Sequence, residues 1–190
     1  RTNGTANSAT DVQIDYLEAI VDYEPNALPL VNIASPTNVS NFSSATQLIN
    51  YTASDVNLKV CWYTNSSGTY NYTLTCGANL SAVWNEGLNV VVIYANDTAA
   101  NKNSSSVTFR IDTIQPHLSI VYPTNNSNLS TINVSINYTI NDSGVGLNTC
   151  WWTNSSGKVN NTIACGNNIS ASWMEGINNI TIYTNDSVNN

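Results

Sequence analysis

The chain has 190 residues, 9% of them charged, with 12 acids against 5 bases and a formal net charge of −7. The few Lys and Arg are scattered, which excludes the clustered cations that nucleic acid or anionic lipid would need, and no apolar run approaches the ~18 residues of a membrane span. Polarity comes from Asn, Ser and Thr, 76 residues together, while 42% hydrophobic content with five Trp and ten Tyr is enough to offset folding entropy.

Residues 1–30 read as an N-terminal extension. Arg1 is expected to be a processed terminus, since neither an initiating Met nor a signal peptide is present. Val12, Ile14 and Tyr16 alternate with Asp11, Gln13 and Asp15, the period of an extended strand. A helix lined by Ile14, Leu17, Ile20 and Val21 is the rival reading of the same stretch, and residues 17–30, with Pro25 and Pro29, suit a linker.

Residues 31–113 read as a first β domain, with strands expected at 60–64, 70–75, 88–95 and 105–111 from their β-branched and aromatic content. Residues 114–190 read as a second. There Val134, Ile136, Tyr138 and Ile140 alternate with Asn133, Ser135, Asn137, Thr139 and Asn141, and Ile180 and Ile182 alternate with Asn179 and Thr181. Apolar-in, polar-out alternation is the mark of a half-buried antiparallel strand.

The two segments are copies of one another. Cys61-Trp62 returns as Cys150-Trp151, Cys76-Gly77 as Cys165-Gly166, Trp84 as Trp173, Glu86-Gly87 as Glu175-Gly176, and Tyr94, Asn96 and Asp97 as Tyr183, Asn185 and Asp186. Upstream, Pro36-Thr37-Asn38 and Asn50-Tyr51-Thr52 return two residues earlier in register, as Pro123-Thr124-Asn125 and Asn137-Tyr138-Thr139. The second copy therefore carries a two-residue insertion near Ser143 to Gly146.

Gly87, Asn89, Val91, Ile93, Ala95 and Asp97, followed by Thr98-Ala99-Ala100-Asn101, resemble the closing strand of immunoglobulin-like repeats on bacterial and archaeal surface proteins. Gly176, Asn178, Ile180, Ile182, Thr184 and Asp186 match in the second copy, and Asp112-Thr113, Pro116 and Tyr122-Pro123-Thr124-Asn125 look like the junction between such repeats. Ala100 departs from the pattern, where the family usually has Gly. The resemblance spans about residues 31–190. It implies an all-β fold, two tandem immunoglobulin-like β-sandwich domains. On function it is broad, because the family includes adhesins, cell-wall proteins and filament subunits.

Cys61 and Cys76 are separated as Cys150 and Cys165 are, and each pair is centred just after a Ser-Gly, the signal of a two-residue hairpin turn. Folding at that point sets Cys61 opposite Cys76 and Cys150 opposite Cys165, so two disulfides within hairpins are expected, and with them an oxidising, extracellular location. No metal or cofactor site is expected. The single histidine, His117, has no Cys or His near it in sequence. A calcium clamp at the repeat junction would have to draw on Asp97, Asp112 or Asp142, whose spacing in sequence specifies no site.

Asn-x-Ser/Thr occurs at Asn3, Asn38, Asn41, Asn50, Asn65, Asn71, Asn79, Asn96 and Asn103, then at Asn125, Asn128, Asn133, Asn137, Asn141, Asn154, Asn160, Asn168, Asn179 and Asn185. With 33 Asn, and 43 Ser or Thr, random order would give about seven or eight such triplets, against the 19 present. The excess predicts a coat of N-linked glycans that takes the solubilising role usually held by charge. Asn133, Asn137 and Asn179 are expected on outward strand faces.

No catalytic constellation is visible, and the chain is not expected to be an enzyme. Nucleophilic triads lack their parts, and Glu86 and Glu175 read as turn residues in separate domains rather than as a carboxylate pair. Asp97 and Asp186 read as turn formers that bond their own backbone. Trp62, Trp84, Trp151 and Trp173 are expected to pack in the cores. Trp152 alternates away from Trp151 and is expected to face outward as a contact for a ligand or subunit.

The copies are unequal. The first runs on into Ser105 to Asp112, a final strand with Val107, Phe109 and Ile111 on one face, whereas no such segment follows Asp186 within the 190 residues. Val12, Ile14 and Tyr16 of a second subunit would fit that place. The expectation is a filament subunit, similar to archaeal pili or threads of glycosylated immunoglobulin-like subunits, whose partners are copies of itself. An immunoglobulin-like stalk of an adhesin or surface-layer protein is the alternative, and a module that binds cell-surface glycans is third.

Overall fold

The computed structural model describes residues 27–65, 70–154 and 159–190. Among these, all regular structure is β, in fourteen strands. The first repeat holds β1 (Leu30–Ser35), β2 (Ser40–Phe42), β3 (Thr46–Ser54), β4 (Leu58–Asn65), β5 (Tyr72–Leu74), β6 (Leu80–Val83), β7 (Gly87–Asp97) and β8 (Lys102–Ile111). The second holds β9 (His117–Tyr122), β10 (Asn133–Asn141), β11 (Leu147–Asn154), β12 (Asn161–Ile163), β13 (Ile169–Ser172) and β14 (Ile180–Asp186).

The strands sort into sheets repeat by repeat. In the first, β1-β3-β6 forms one sheet and β2-β8-β7-β4-β5 the other; in the second, the sheets are β13-β10-β9 and β12-β11-β14. Alternation explains why these segments are strands. Along β7, Asn89, Val91, Ile93, Ala95 and Asp97 are buried while the residues between them are less so, as a strand with one face on a core requires. Ile49, Tyr51 and Leu80 of one sheet meet Val91, Ile93, Val107 and Phe109 of the other in a single buried cluster. This is a β-sandwich with immunoglobulin-like strand order. The second cluster gathers Ile136, Tyr138, Ile169 and Ile182 in the same way.

Both disulfides are formed, Cys61–Cys76 and Cys150–Cys165, each with Cα atoms 5.2 Å apart. The register differs from the expectation. Cys61 lies opposite Leu74 and Cys150 opposite Ile163, so each second cysteine falls two residues beyond its expected place. The reason is local: β5 stops at Leu74, and a turn follows in which the Ala78 N–H donates to the Thr75 carbonyl at 3.0 Å. Gly77 sits at φ 76° in that turn, a conformation costly for any side chain. The turn returns Cys76 to the core beneath Cys61.

The strand parity of the tryptophans also corrects the expectation. Cys61 and Cys150 are fully buried, so Trp62 and Trp151, one residue on, point to the outer face. There they stack on Tyr94 and Tyr183, with ring centroids 5.2 and 5.5 Å apart. Trp152 shares the parity of Cys150 and faces inward, edge-on to Trp173 at 5.5 Å and packed on the second core.

Candidate functional site

The feature that distinguishes the repeats is an edge. In the first repeat β7 pairs with β4 on one side and β8 on the other. In the second, β14 pairs with β11, and no described strand lies on its other side. β14 is also shorter, seven residues against the eleven of β7. The four residues by which it falls short correspond to Gly87, Leu88, Asn89 and Val90. In the first repeat the register with β8 runs through those four, whereas the register with β4 covers Val91 to Asp97. The β11 register ends at Ile180, so residues 176–178 lie beyond it, with no described strand on their other side.

Their shape is nonetheless already set. The Asn89 side-chain amide donates to the carbonyls of Asn85 and Gly87 at 2.7 and 3.1 Å. Asn178 does the same to Met174 and Gly176, at 2.7 and 3.2 Å. The turn before the strand is thus built identically in both repeats, with Gly87 and Gly176 both at positive φ.

The core beneath the open edge is correspondingly uncovered. In the first repeat Phe109 lies between Phe42 and Trp84, edge-on to both at 6.1 and 5.4 Å, and Trp84 is 4% exposed. The second repeat has Leu129 in place of Phe42 and Ile132 in place of Ala45, and they are 42% and 53% exposed. Trp173 and Ile180 are half-buried where Trp84 and Val91 are buried. Trp84 and Trp173 are otherwise held alike, each N–H donating to the carbonyl of Ala45 or Ile132. The difference is cover: among the described residues, no strand with apolar residues at alternate positions lies over the second core as β8 lies over the first.

The first repeat also shows what receives such a strand. The Val39 N–H donates to the Thr108 carbonyl at 2.6 Å, and the Thr108 N–H donates to Asn38 Oδ1 at 2.9 Å. Glu86 accepts from the Thr113 N–H and from Thr113 Oγ1 just past β8. Glu86 is therefore a clasp for the strand end, a role that its reading as a turn residue missed. Its counterpart Glu175 is exposed. Val12, Ile14 and Tyr16, the expected donor residues, lie outside the described residues.

The acidic residues divide differently from the expectation. Asp97 and Asp186 do bond their own turns: Asp97 Oδ1 accepts from the Ala99 and Asn101 N–H groups, and Asp186 Oδ1 from those of Val188 and Asn190. At the junction, however, Asp112 and Asp142 meet Asp186 rather than Asp97. Sequence spacing could not reveal this, because the three come from three separate elements.

Of the predicted glycan acceptors, Asn38, Asn41, Asn71, Asn79, Asn125, Asn128, Asn133, Asn141, Asn160, Asn168 and Asn179 are exposed. Asn50, Asn65, Asn96, Asn103, Asn137, Asn154 and Asn185 are half-buried, and Asn3 lies outside the described residues. Asn137 corrects the expectation of an outward face, since its Oδ1 is shut away from solvent. It stands where the β10–β9 register shifts, opposite Tyr122, and Asn50 occupies the matching place opposite Ser35.

No family model matches the chain, and no curated protein does. Among solved structures 13 chains match. One is a structure of the fibronectin(III)-like modules of Clostridium thermocellum CbhA, 16% identical, covering 84% of this chain and 87% of that one, with a TM-score of 0.41.

Proposed function

We propose that the chain is a non-enzymatic structural subunit of an extracellular filament, assembled head to tail by strand donation between copies and coated with N-linked glycans. The open edge of β14 carries the proposal, together with the preformed turn and uncovered apolar residues beside it. An edge with unpaired N–H and C=O groups over exposed apolar surface is a template for a further strand. The N-terminal segment of a second copy is the occupant with matching alternation. Pairing as β7 pairs with β8 sets Val12 opposite Ile180, Ile14 opposite Asn178 and Tyr16 opposite Gly176, the places that Val107, Phe109 and Ile111 take against β7. A contact in which one end receives and the other donates does not close on itself, and it propagates a fibre. The disulfides suit an oxidising exterior, and the exposed sequons suit a sugar coat.

Electron microscopy and light scattering of the purified chain, beside a chain lacking residues 1–22, test the reading. Fibres from the intact chain and monomers from the shortened one are expected. The shortened chain should bind a synthetic peptide of residues 9–18. Fibres from the shortened chain would sink strand donation. A monomeric intact chain would favour the stalk of a surface protein instead.

A further inference from the structure

We propose that Asp112, Asp142 and Asp186 form a binding site for a hard divalent cation, calcium, at the junction of the two repeats. The inference is independent of the filament reading. The three residues come from the end of β8, the loop after β10 and the end of β14, yet one carboxylate oxygen of each lies within 4.8 Å of the others. Asp112 and Asp186 are fully buried. Asp142 Oδ1 is closed off from solvent and has no hydrogen-bond partner.

The observed donors to these carboxylates are neutral. Asp112 accepts from the Ile114 and Val145 N–H groups at 3.2 and 2.7 Å, and Asp142 Oδ2 from those of Gly144 and Gly146 at 3.1 and 2.7 Å. Asp186 accepts from the Val188 and Asn190 N–H groups and from the Asn190 amide. Such bonds orient the oxygens but bring no positive charge to three converging carboxylates, two of them fully buried and the third half-buried with its Oδ1 shut off from solvent, and that convergence calls for a cation. The orphaned Asp142 oxygen is where the existing network leaves a ligand position unused.

The first repeat is an internal control. Asp97 is clasped by Ala99 and Asn101 just as Asp186 is by Val188 and Asn190. Asp55, the counterpart of Asp142, accepts from the Asn57 N–H at 2.8 Å. These two build turns without a third carboxylate, and among the described residues the junction trio is the one group of acidic ligand atoms that converges. The insertion peculiar to the second repeat belongs to this place. Gly144 lies so close to the Asp112 carboxylate that any side chain there would collide with it, so the added loop wraps the acid contributed by the first repeat.

Ligand type selects the metal. Three carboxylates present only oxygen, which excludes the N/S preference of zinc. Calcium accepts six to eight oxygens in irregular geometry, whereas magnesium demands a regular octahedron and keeps its waters. A bound ion would tie the end of β8 to both loops of the second repeat and stiffen the joint.

Calorimetric titration of the full chain, stripped with EDTA and desalted, tests the site with calcium chloride and magnesium chloride in parallel, alongside melting curves with each ion. One calcium per chain and a higher melting temperature with calcium than with equal magnesium are expected. Asp142→Asn, which preserves shape, should abolish both effects, as should Asp186→Asn, while Asp97→Asn keeps them. No calcium binding by the parent chain, an equal response to magnesium, or binding retained in both junction variants would each overturn the proposal.

Discussion

Asp97 ends β7 without solvent contact. Burial raises its pKa, but the Asn101 side chain and the N–H groups of Asn101 and Ala99 more than offset that, and the carboxyl titrates below its ordinary value. A depressed folded-state pKa contributes stability that is complete above the unfolded value and is lost as pH falls through the folded one. Melting curves from pH 7 to 2 should therefore show a loss below about pH 4 that Asp97→Asn lacks. The aromatic residues separate by parity in the same local way. Trp152→Ala removes a half-buried core contact and should cost ~2 kcal/mol in chemical denaturation. Trp151→Ala gives up mainly its stack on Tyr183, roughly 1 kcal/mol. Amide environment likewise sorts the sequons. Asn50 and Asn137 have Oδ1 atoms hidden from solvent, and the Asn103 amide nitrogen donates to the Pro29 carbonyl at 2.8 Å. Glycopeptide mass spectrometry should find sugar at exposed sites such as Asn79 and Asn133 and none at these three.

Among the elements, the hairpins closed by Cys61–Cys76 and Cys150–Cys165 have the same separation of 15 residues. Replacing either pair by serine should cost ~3 kcal/mol in the chain-entropy account. The loss should be more damaging in the second repeat, where no described strand covers the core as β8 does in the first. The behaviour of β14 is the sharper element-scale expectation. Residues 176–178 should exchange amide hydrogens rapidly in a chain without residues 1–22 and become protected when the peptide of residues 9–18 is added. Rapid exchange that persists with bound peptide would place the peptide elsewhere.

For the molecule as a whole, the strand-donation proposal implies polarity. One end offers an open edge, and the N-terminal segment supplies the alternation that would fill it. At the junction Asp112 accepts from the second repeat, at Oδ2 from the Val145 N–H and at its carbonyl from the Asn190 amide, both at 2.7 Å. In this reading Asp112→Asn should loosen the joint and broaden the distribution of bend angles along fibres in electron micrographs, without preventing strand donation.

Legible in the chain alone were the β character, the repeat and its insertion, and the cysteine partners. All of these are carried by local alternation or by self-similarity, which need no knowledge of packing. Strand 88–95 was legible to within two residues as Gly87–Asp97, since it is dense in β-branched and aromatic residues. The expected strand at 70–75 shrank to Tyr72–Leu74, because pairing with β4 covers only three residues. Only the folded chain shows the clasp made by Glu86 and the burial of Asn137, each set by a neighbour distant in sequence, whereas the inward place of Trp152 follows from its parity with Cys150. Tertiary structure also decided that Asp186, and not Asp97, joins Asp112 and Asp142. That convergence depends on how the end of one sandwich meets the loops of the next, and no spacing along a chain encodes three elements closing on a point.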